Sequence, residues 1–278
     1  MTLALALRAV QTLGVDRLDA QLLLLHVLGR PAHDRAWLLA HDTDALPEAT
    51  QAKLMALATR RAAGEPLAYI TGQKEFFGLD LLVDAHTLVP RPDTETLVEW
   101  ALEVIAATPA RVLDLGTGSG AIALAIRHAA PQSQVTAVDA SEGALTMARR
   151  NAERLALPVA FHLGSWFEAL PKSAPQRFDL VVSNPPYIAE DDAHLPALVH
   201  EPRSALTAGV DGLDDIRSIV RAAPQHLLPG GWLLLEHGYD QAPAVHTLLE
   251  NAGFAAVQLR KDLGGHARCT GGQWPGHS

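Results

Sequence analysis

Up to about Gly64 the apolar positions recur at helical spacing, with leucines and alanines on repeating faces and turn signals between them. This predicts a compact domain of about four helices over residues 1–64. Asp19 is placed to cap a helix through Ala20, Leu22 to Leu25 and Leu28, which Gly29 and Pro31 end. Pro47 opens another that runs through Leu54, Leu57, Ala58 and Ala62 to Gly64, with Arg60 and Arg61 near its end, where the helix dipole favours cations. Over 65–92 the period changes. Leu67 to Thr71, Glu75 to Phe77 and Leu81 to Val83 are short β-like runs divided by Gly72 and Gly78-Leu79-Asp80, and they predict a β-hairpin linking two domains.

From residue 93 onward strand and helix patterns alternate, the signature of an α/β, doubly wound and mostly parallel sheet. Asp93 or Thr94 is expected to cap a helix whose buried stripe is Leu97, Val98, Ala101, Leu102 and Ile105. Strands follow at Arg111 to Leu115, Val135 to Asp139, Val159 to Leu163, Phe178 to Ser183 and Trp232 to Glu236. Ser141 caps a helix to about Leu155, a helix broken near Pro224 spans Leu213 to Leu228, another covers Ala242 to Ala252, and two closing strands flank Asp262. Glu201 to Leu206 reads as a surface loop, and Arg91, fixed between two prolines, is unusual for a linker.

The first of these strands runs into Gly116-Thr117-Gly118-Ser119-Gly120 and then a helix, an arrangement in which a nucleotide-type cofactor meets backbone and a helix N-terminus. Gly116, Gly118 and Ala121 satisfy the relaxed dinucleotide pattern as well, so the turn alone does not separate NAD from S-adenosylmethionine. Asp114 favours the latter, because a carboxylate there can hold an ammonium group. Asp139 closes the next strand 19 residues beyond Gly120, the spacing expected of a carboxylate on a ribose diol. Trp166 follows the third strand, where an indole suits packing on an adenine and plain core equally.

The fourth strand stops at Ser183-Asn184-Pro185-Pro186-Tyr187, where two prolines end any ladder. Asn184 therefore lies just past a strand's carboxyl end, where open α/β sheets bind ligands. Its side-chain carbonyl and the backbone carbonyl of Pro185, which Pro186 cannot cover with an N–H, can accept both hydrogens of a planar NH₂ group, and Tyr187 can stack on it. Such acceptors stabilise positive charge developing on a conjugated nitrogen, the reverse of an oxyanion hole. In a doubly wound sheet the first and fourth strands can flank the switch point, which would bring this turn and the glycine loop to one crevice.

Composition narrows the classes. No apolar run approaches the ~18 residues of a membrane span, and the first residues, Met1 to Leu7, lack a basic segment before them and a cleavage-type segment after them, so a first helix is expected. The single cysteine, Cys269, excludes an internal disulfide framework and fits a buried thiol in a reducing cytoplasm. Thirteen histidines show no metal-ligand spacing, so no metal is expected. A formal charge of -9 argues against a broad nucleic-acid surface.

Glu65-Pro66 with Tyr69-Ile70 and Gly72, Glu75-Phe76, Pro90-Arg91-Pro92-Asp93-Thr94-Glu95, Asp114 to Gly120, Ser183 to Tyr187 and Glu201-Pro202-Arg203 together resemble the HemK/PrmC family of protein-(glutamine N5) methyltransferases acting on peptide-chain release factors. The resemblance covers nearly the whole chain. It implies a Rossmann-like, seven-stranded methyltransferase domain over 93–270, with S-adenosyl-L-methionine as methyl donor and the glutamine of a Gly-Gly-Gln loop as acceptor. Gly116, Thr117, Gly118, Ser119, Gly120, Asp139, Trp166 and Asn184 would contact the cofactor, and Asn184, Pro185, Pro186 and Tyr187 would hold the glutamine. The methyl would pass in line to the amide nitrogen, with positioning and charge stabilisation carrying the catalysis. The helical domain would recognise the release factor. Two departures stand out: Ser165 occupies a place where an acidic residue is expected, and Gly271-Gly272-Gln273 spells the substrate tripeptide in what reads as a disordered tail, 271–278. Self-methylation or tail autoinhibition at Gln273 is the bolder reading of that tail. Asn-Pro-Pro-Tyr also occurs in DNA adenine methyltransferases, which the negative charge disfavours; a non-catalytic cofactor-binding module or an NAD oxidoreductase are the remaining alternatives.

Overall fold

A computed structural model describes residues 1–106, 108–171 and 176–276. The chain divides into two compact units, Met1–Gln73 and Lys74–Ser278.

In the first unit α1 (Leu3–Thr12), α2 (Arg17–Val27), α3 (Arg35–Ala40), α4 (Glu48–Ala62) and α5 (Leu67–Thr71) enclose a core that includes Leu3, Ala6 and Val10, the Leu23 to Leu25 run, Leu38, Leu54 and Ile70. Two expectations are corrected here. Asp16, not Asp19, caps α2: its Oδ1 accepts from the Leu18 and Asp19 amides at 2.8 and 3.0 Å, which satisfies two orphan donors one turn earlier. Asp19 instead pairs with Arg61 at 2.6 Å. Leu67–Thr71 is a helical turn, not a strand. Pro66 opens it, the Thr71 hydroxyl donates back to the Leu67 carbonyl at 3.0 Å, and Gly72 at φ +74° closes it in the left-handed conformation.

The hairpin is present, formed by β1 (Gln73–Phe76) and β2 (Leu79–Leu82). A 3-10 turn at Pro92–Thr94 then leads into α6 (Glu95–Ile105), on which Leu97, Val98, Trp100, Ala101 and Ile105 are buried. Neither Asp93 nor Thr94 caps this helix through its side chain. The alternation that follows gives β3 (Arg111–Leu115), α7 (Ala121–Ala129), β4 (Gln134–Asp139), α8 (Glu142–Leu155, capped by Ser141), β5 (Ala160–Leu163), β6 (Phe178–Ser183), α9 (Asp214–Ala222), β7 (Leu227–Glu236), α10 (Ala242–Asn251), β8 (Ala255–Lys261) and β9 (Ala267–Gln273).

Strand order is β5-β4-β3-β6-β7-β9-β8, with β3 to β7 parallel and β9 antiparallel to both neighbours. Central strands are apolar on both faces because both are covered. Val112, Leu180, Val182 and Leu234 enter one core layer with α6 and α7, whereas Leu113, Leu115, Val181, Leu233 and Leu235 enter the other with α9 and α10. The chain turns from β5 back to β6 on the far side of β3, so the switch point lies between β3 and β6. Buried Asn151 of α8 fastens the hairpin to the glycine loop. Its Oδ1 accepts from the Leu82 amide at 2.7 Å, and its Nδ2 donates to the carbonyls of Leu82 and Ser119, each at 2.9 Å.

The closing segment corrects the expectation of a disordered tail. Gly271, Gly272 and Gln273 lie in β9, where they pair with Leu234, Leu233 and Trp232 of β7. Trp274 is buried against Phe254, ring centroids 5.6 Å apart. His277 and Ser278 lie outside the described residues. The glycines are demanded by space: a Cβ on Gly271 would meet Leu234 Cδ2 and come within 2.8 Å of the Leu233 carbonyl oxygen. Gln273 donates to the Gly230 carbonyl at 2.9 Å and pairs with Trp232, four residues short of β7's carboxyl end, so self-methylation has no geometric support. Gly271→Ala is accordingly expected to destabilise the second unit by about 1–3 kcal/mol through overpacking. An unchanged unfolding midpoint in denaturant would contradict the placement of this segment in the sheet.

Candidate active site

Leu115 of β3 stands opposite Ser183 of β6, so Gly116 and Asn184 leave the sheet side by side. There they open onto a cavity of about 600 Å³, within the ~300–1,000 Å³ typical of ligand pockets. Gly116, Gly118 and Gly120 have φ of +72°, +57° and +86°, a run of left-handed conformations that side-chain-bearing residues resist. The turn is further fixed by the Gly116 and Thr117 amides donating to the Val138 carbonyl at 2.9 and 3.0 Å.

Two carboxylates shape this turn from opposite sides. Asp139, at the end of β4, lines the cavity; its Oδ2 accepts from the Gly118 amide and its Oδ1 from the Ser141 amide, both at 2.8 Å. Burial raises its pKa, and these amide donors pull the other way. Each oxygen keeps acceptor capacity for a diol. Asp114 is placed differently from expectation. It is fully buried and does not line the cavity; its Oδ2 accepts from the Thr117 hydroxyl at 2.6 Å and the Ala123 amide at 3.2 Å, which ties the loop to the first turn of α7. Burial pushes its carboxyl up to about 7, and Oδ1 has no partner among the described residues. Its part is to brace the loop from beneath.

Trp166 lines the cavity and also packs on the second core layer. Its backbone has φ +45°, and its ring lies so close to Gly116 that a Cβ there would stand 3.2 Å from the indole. Beside its indole lies Asp215 of α9, a cavity residue that sequence reasoning missed. Asp215 brings a carboxylate to the indole from another element, close to where Ser165 leaves an acidic residue wanting. The Glu201 loop also departs from expectation. Glu201 is buried, accepts from the Val89 amide at 3.1 Å and from the Arg91 guanidinium, and so holds the Pro202 to Ala205 segment beside Pro90 and Arg91 at the cavity wall.

Asn184 and Pro186 line the cavity, whereas Pro185 and Tyr187 do not. Tyr187 packs against the second core layer, its backbone carbonyl accepts from Gln241 at 2.9 Å, and burial with Glu236 nearby raises its phenol pKa. The ring supports the turn and is not presented to the cavity as a stacking platform. Asn184 donates from Nδ2 to the Thr94 hydroxyl oxygen at 3.2 Å, and the Glu236 carboxylate lies beside both. Glu236 ends β7 with 1% exposure, and burial pushes its carboxyl up to about 7. Thr94 and Glu236 were likewise missed, although a carboxylate closing the apolar run Trp232 to Leu235 is the same signal that marks Asp139. Among the described residues no group of three or more His, Cys, Asp or Glu side chains is placed to hold a metal ion, and no helix is long and apolar enough to cross a membrane.

The residues present fit a nucleoside cofactor: a glycine turn open to the cavity, a carboxylate with acceptor capacity for a diol, and an indole face. Known proteins agree. Residues 94–212 match the methyltransferase small domain and residues 3–72 the PrmC N-terminal domain. Two solved structures share the fold: a methyltransferase from Pyrococcus furiosus (TM-score 0.55, 22% identity, 72% of this chain and 91% of that one) and a T. thermophilus 16S rRNA N2 methyltransferase in complex with AdoMet and guanosine (TM-score 0.54, 23% identity, 72% and 49%). A release factor glutamine methyltransferase of Bordetella pertussis is 52% identical over 262 residues, 93% of this chain and 95% of the relative; one of Xylella fastidiosa (strain Temecula1) is 51% identical over 276 residues, 98% of each. With about half of its residues shared over nearly its full length, this S-adenosylmethionine-dependent enzyme belongs to the release factor glutamine methyltransferase family.

Proposed function

We propose that the protein methylates the side-chain nitrogen of the glutamine in the Gly-Gly-Gln motif of peptide-chain release factors, and that Asn184 is the residue on which the transfer depends. The observation that carries this reading is the orientation of Asn184: its nitrogen is engaged by Thr94, and its carbonyl oxygen has no donor among the described residues. That leaves an acceptor at the cavity for an incoming NH₂ group.

Gly116 to Gly120, Asp139, Trp166 and Asn184 would hold S-adenosylmethionine, with Asp114 acting through the loop it braces and Asp215 through the indole. When bound, the cofactor supplies an electrophilic methyl group on a positively charged sulfur. The acceptor amide nitrogen has its lone pair in conjugation and becomes positive as it takes the methyl. Asn184 Oδ1 and the Pro185 carbonyl would accept its two hydrogens, hold the lone pair toward the methyl and stabilise that charge as it builds. Once charged, the nitrogen is acidic enough to lose a proton to water, so no side chain is assigned as a general base. Pro185 and Pro186 keep the backbone open, and Tyr187 supports the turn. The helical unit is assigned the body of the release factor, since a loop tripeptide alone offers little contact area. The enzyme is placed in the cytoplasm and is not assigned a nucleic-acid partner, in keeping with its formal charge of -9.

Asn184→Ala is expected to lower turnover on a release factor by roughly 10² to 10³, about 3–4 kcal/mol of transition-state stabilisation. Turnover near wild type by intact-protein mass would refute the assigned role. Asp139→Ala is expected to weaken cofactor binding about 10- to 100-fold, from the loss of hydrogen bonds to a charged acceptor. Asp215→Ala should cost less, about 3- to 10-fold, because the indole keeps its packing. Titration calorimetry with S-adenosylmethionine reads both, and wild-type affinity in the Asp139 variant would remove the diol contact from the account.

A further inference from the structure

A carboxamide has two ends of nearly equal size, one that accepts hydrogen bonds and one that donates. An asparagine used to receive an NH₂ group is useful with only one of them outward, because the flipped side chain would set donor against donor. The sheet does not choose between the two. What chooses is the pair of groups behind Asn184.

Thr94 has a single hydroxyl hydrogen, and the buried Glu236 carboxylate beside it draws that hydrogen its way. Toward Asn184 the hydroxyl therefore presents lone pairs, and it accepts from Nδ2 at 3.2 Å. Glu236 lies beside both and, when ionised, can only accept. Flipping the carboxamide would turn its oxygen onto a hydroxyl lone pair and a buried carboxylate. Both groups repel that end.

Glu236 is otherwise hard to account for. The preceding residues Leu233, Leu234 and Leu235 are fully buried, and a fourth apolar residue would continue that core. Oε2 has no partner among the described residues. The cation that compensates it, Arg268, is itself engaged by Asp262 at 3.0 Å and Asp93 at 3.1 Å. A buried carboxylate so weakly compensated is costly to the fold and calls for a function.

We propose that Glu236 and Thr94 are positioning residues that hold the Asn184 carboxamide with its nitrogen inward and its oxygen toward the acceptor amide. They act through Asn184 and touch neither the methyl nor the acceptor. The inference rests on the reading of Asn184 as the amide-receiving group.

The test is a set of variants of the full chain: Glu236→Met, Glu236→Gln, Thr94→Val, Thr94→Ser, Asn184→Ala and the double variant Asn184→Ala/Glu236→Met. Each is assayed for kcat and KM on a release factor, for S-adenosylmethionine affinity by calorimetry and for its unfolding midpoint. Glu236→Met and Thr94→Val are expected to lower kcat by about 10- to 100-fold while cofactor affinity stays within about twofold, the size of an effect set by one or two hydrogen bonds. Glu236→Gln and Thr94→Ser, which keep an acceptor in place, should recover most of the loss. The double variant should be no slower than Asn184→Ala alone, since nothing is left to orient. Wild-type kcat in both Glu236→Met and Thr94→Val, a loss matched by weakened cofactor binding, or additive losses in the double variant would each overturn the inference. Should Glu236→Met fail to fold, Thr94→Val with its serine control decides alone. Wild-type turnover in Asn184→Ala would instead show that the underlying reading of Asn184 is wrong.

Discussion

The register between β3 and β6 is the constraint on which the rest depends. These strands sit at the middle of the sheet with both faces covered, so a slip of one residue would exchange every apolar side chain between two core layers. The alignment of Leu115 with Ser183 is thereby fixed by packing that has no direct part in the chemistry. Its consequence is that the glycine turn and Asn184 emerge together at the switch point. The Ser183 hydroxyl strengthens the seam by donating to the Leu115 carbonyl at 2.7 Å.

Around that seam the site is built from carboxylates with distinct tasks. Asp114 lies beneath the loop, Asp139 beside it, Asp215 behind the indole and Glu236 behind the asparagine. For each of them burial opposes ionisation, so all four raise the cost of folding. For Asp114 and Asp139, hydrogen bonds from backbone amides and a hydroxyl offset part of that cost. The return is rigidity: the loop, the ring and the amide are each held by an acceptor that cannot also donate while ionised. Preorganisation of this kind is what a methyl transfer assisted by charge stabilisation requires.

Much of this was legible in the sequence because strand ends announce themselves. Asp139, the glycines and Asn184 follow directly from where apolar runs stop. Asp114 was located but misdirected: it shares β3's face with Val112, and that face meets α7, so the two-residue period points it under the loop and away from the cavity. Leu67–Thr71 is too short for a helical period to show, and Tyr-Ile-Thr favours a strand on propensity alone; packing in the helical unit decided otherwise. The closing strand was hidden because Gly271 and Gly272 carry no apolar side chains to count, although crowding by Leu234 and Phe254 is the reason they are glycines. Tyr187 lies past two prolines, where no period sets direction. The Asn184, Thr94 and Glu236 network joins residues from three separate segments, and only their juxtaposition in space reveals it.

The measurement closest to the central claim is transfer of a labelled methyl group from S-adenosylmethionine to three acceptors in parallel: a release factor, the same factor with its Gly-Gly-Gln glutamine replaced by alanine, and double-stranded DNA. Label is expected in the first alone, on the glutamine side-chain nitrogen. Equal label in the alanine variant, or label in DNA and not in the release factor, would contradict that claim.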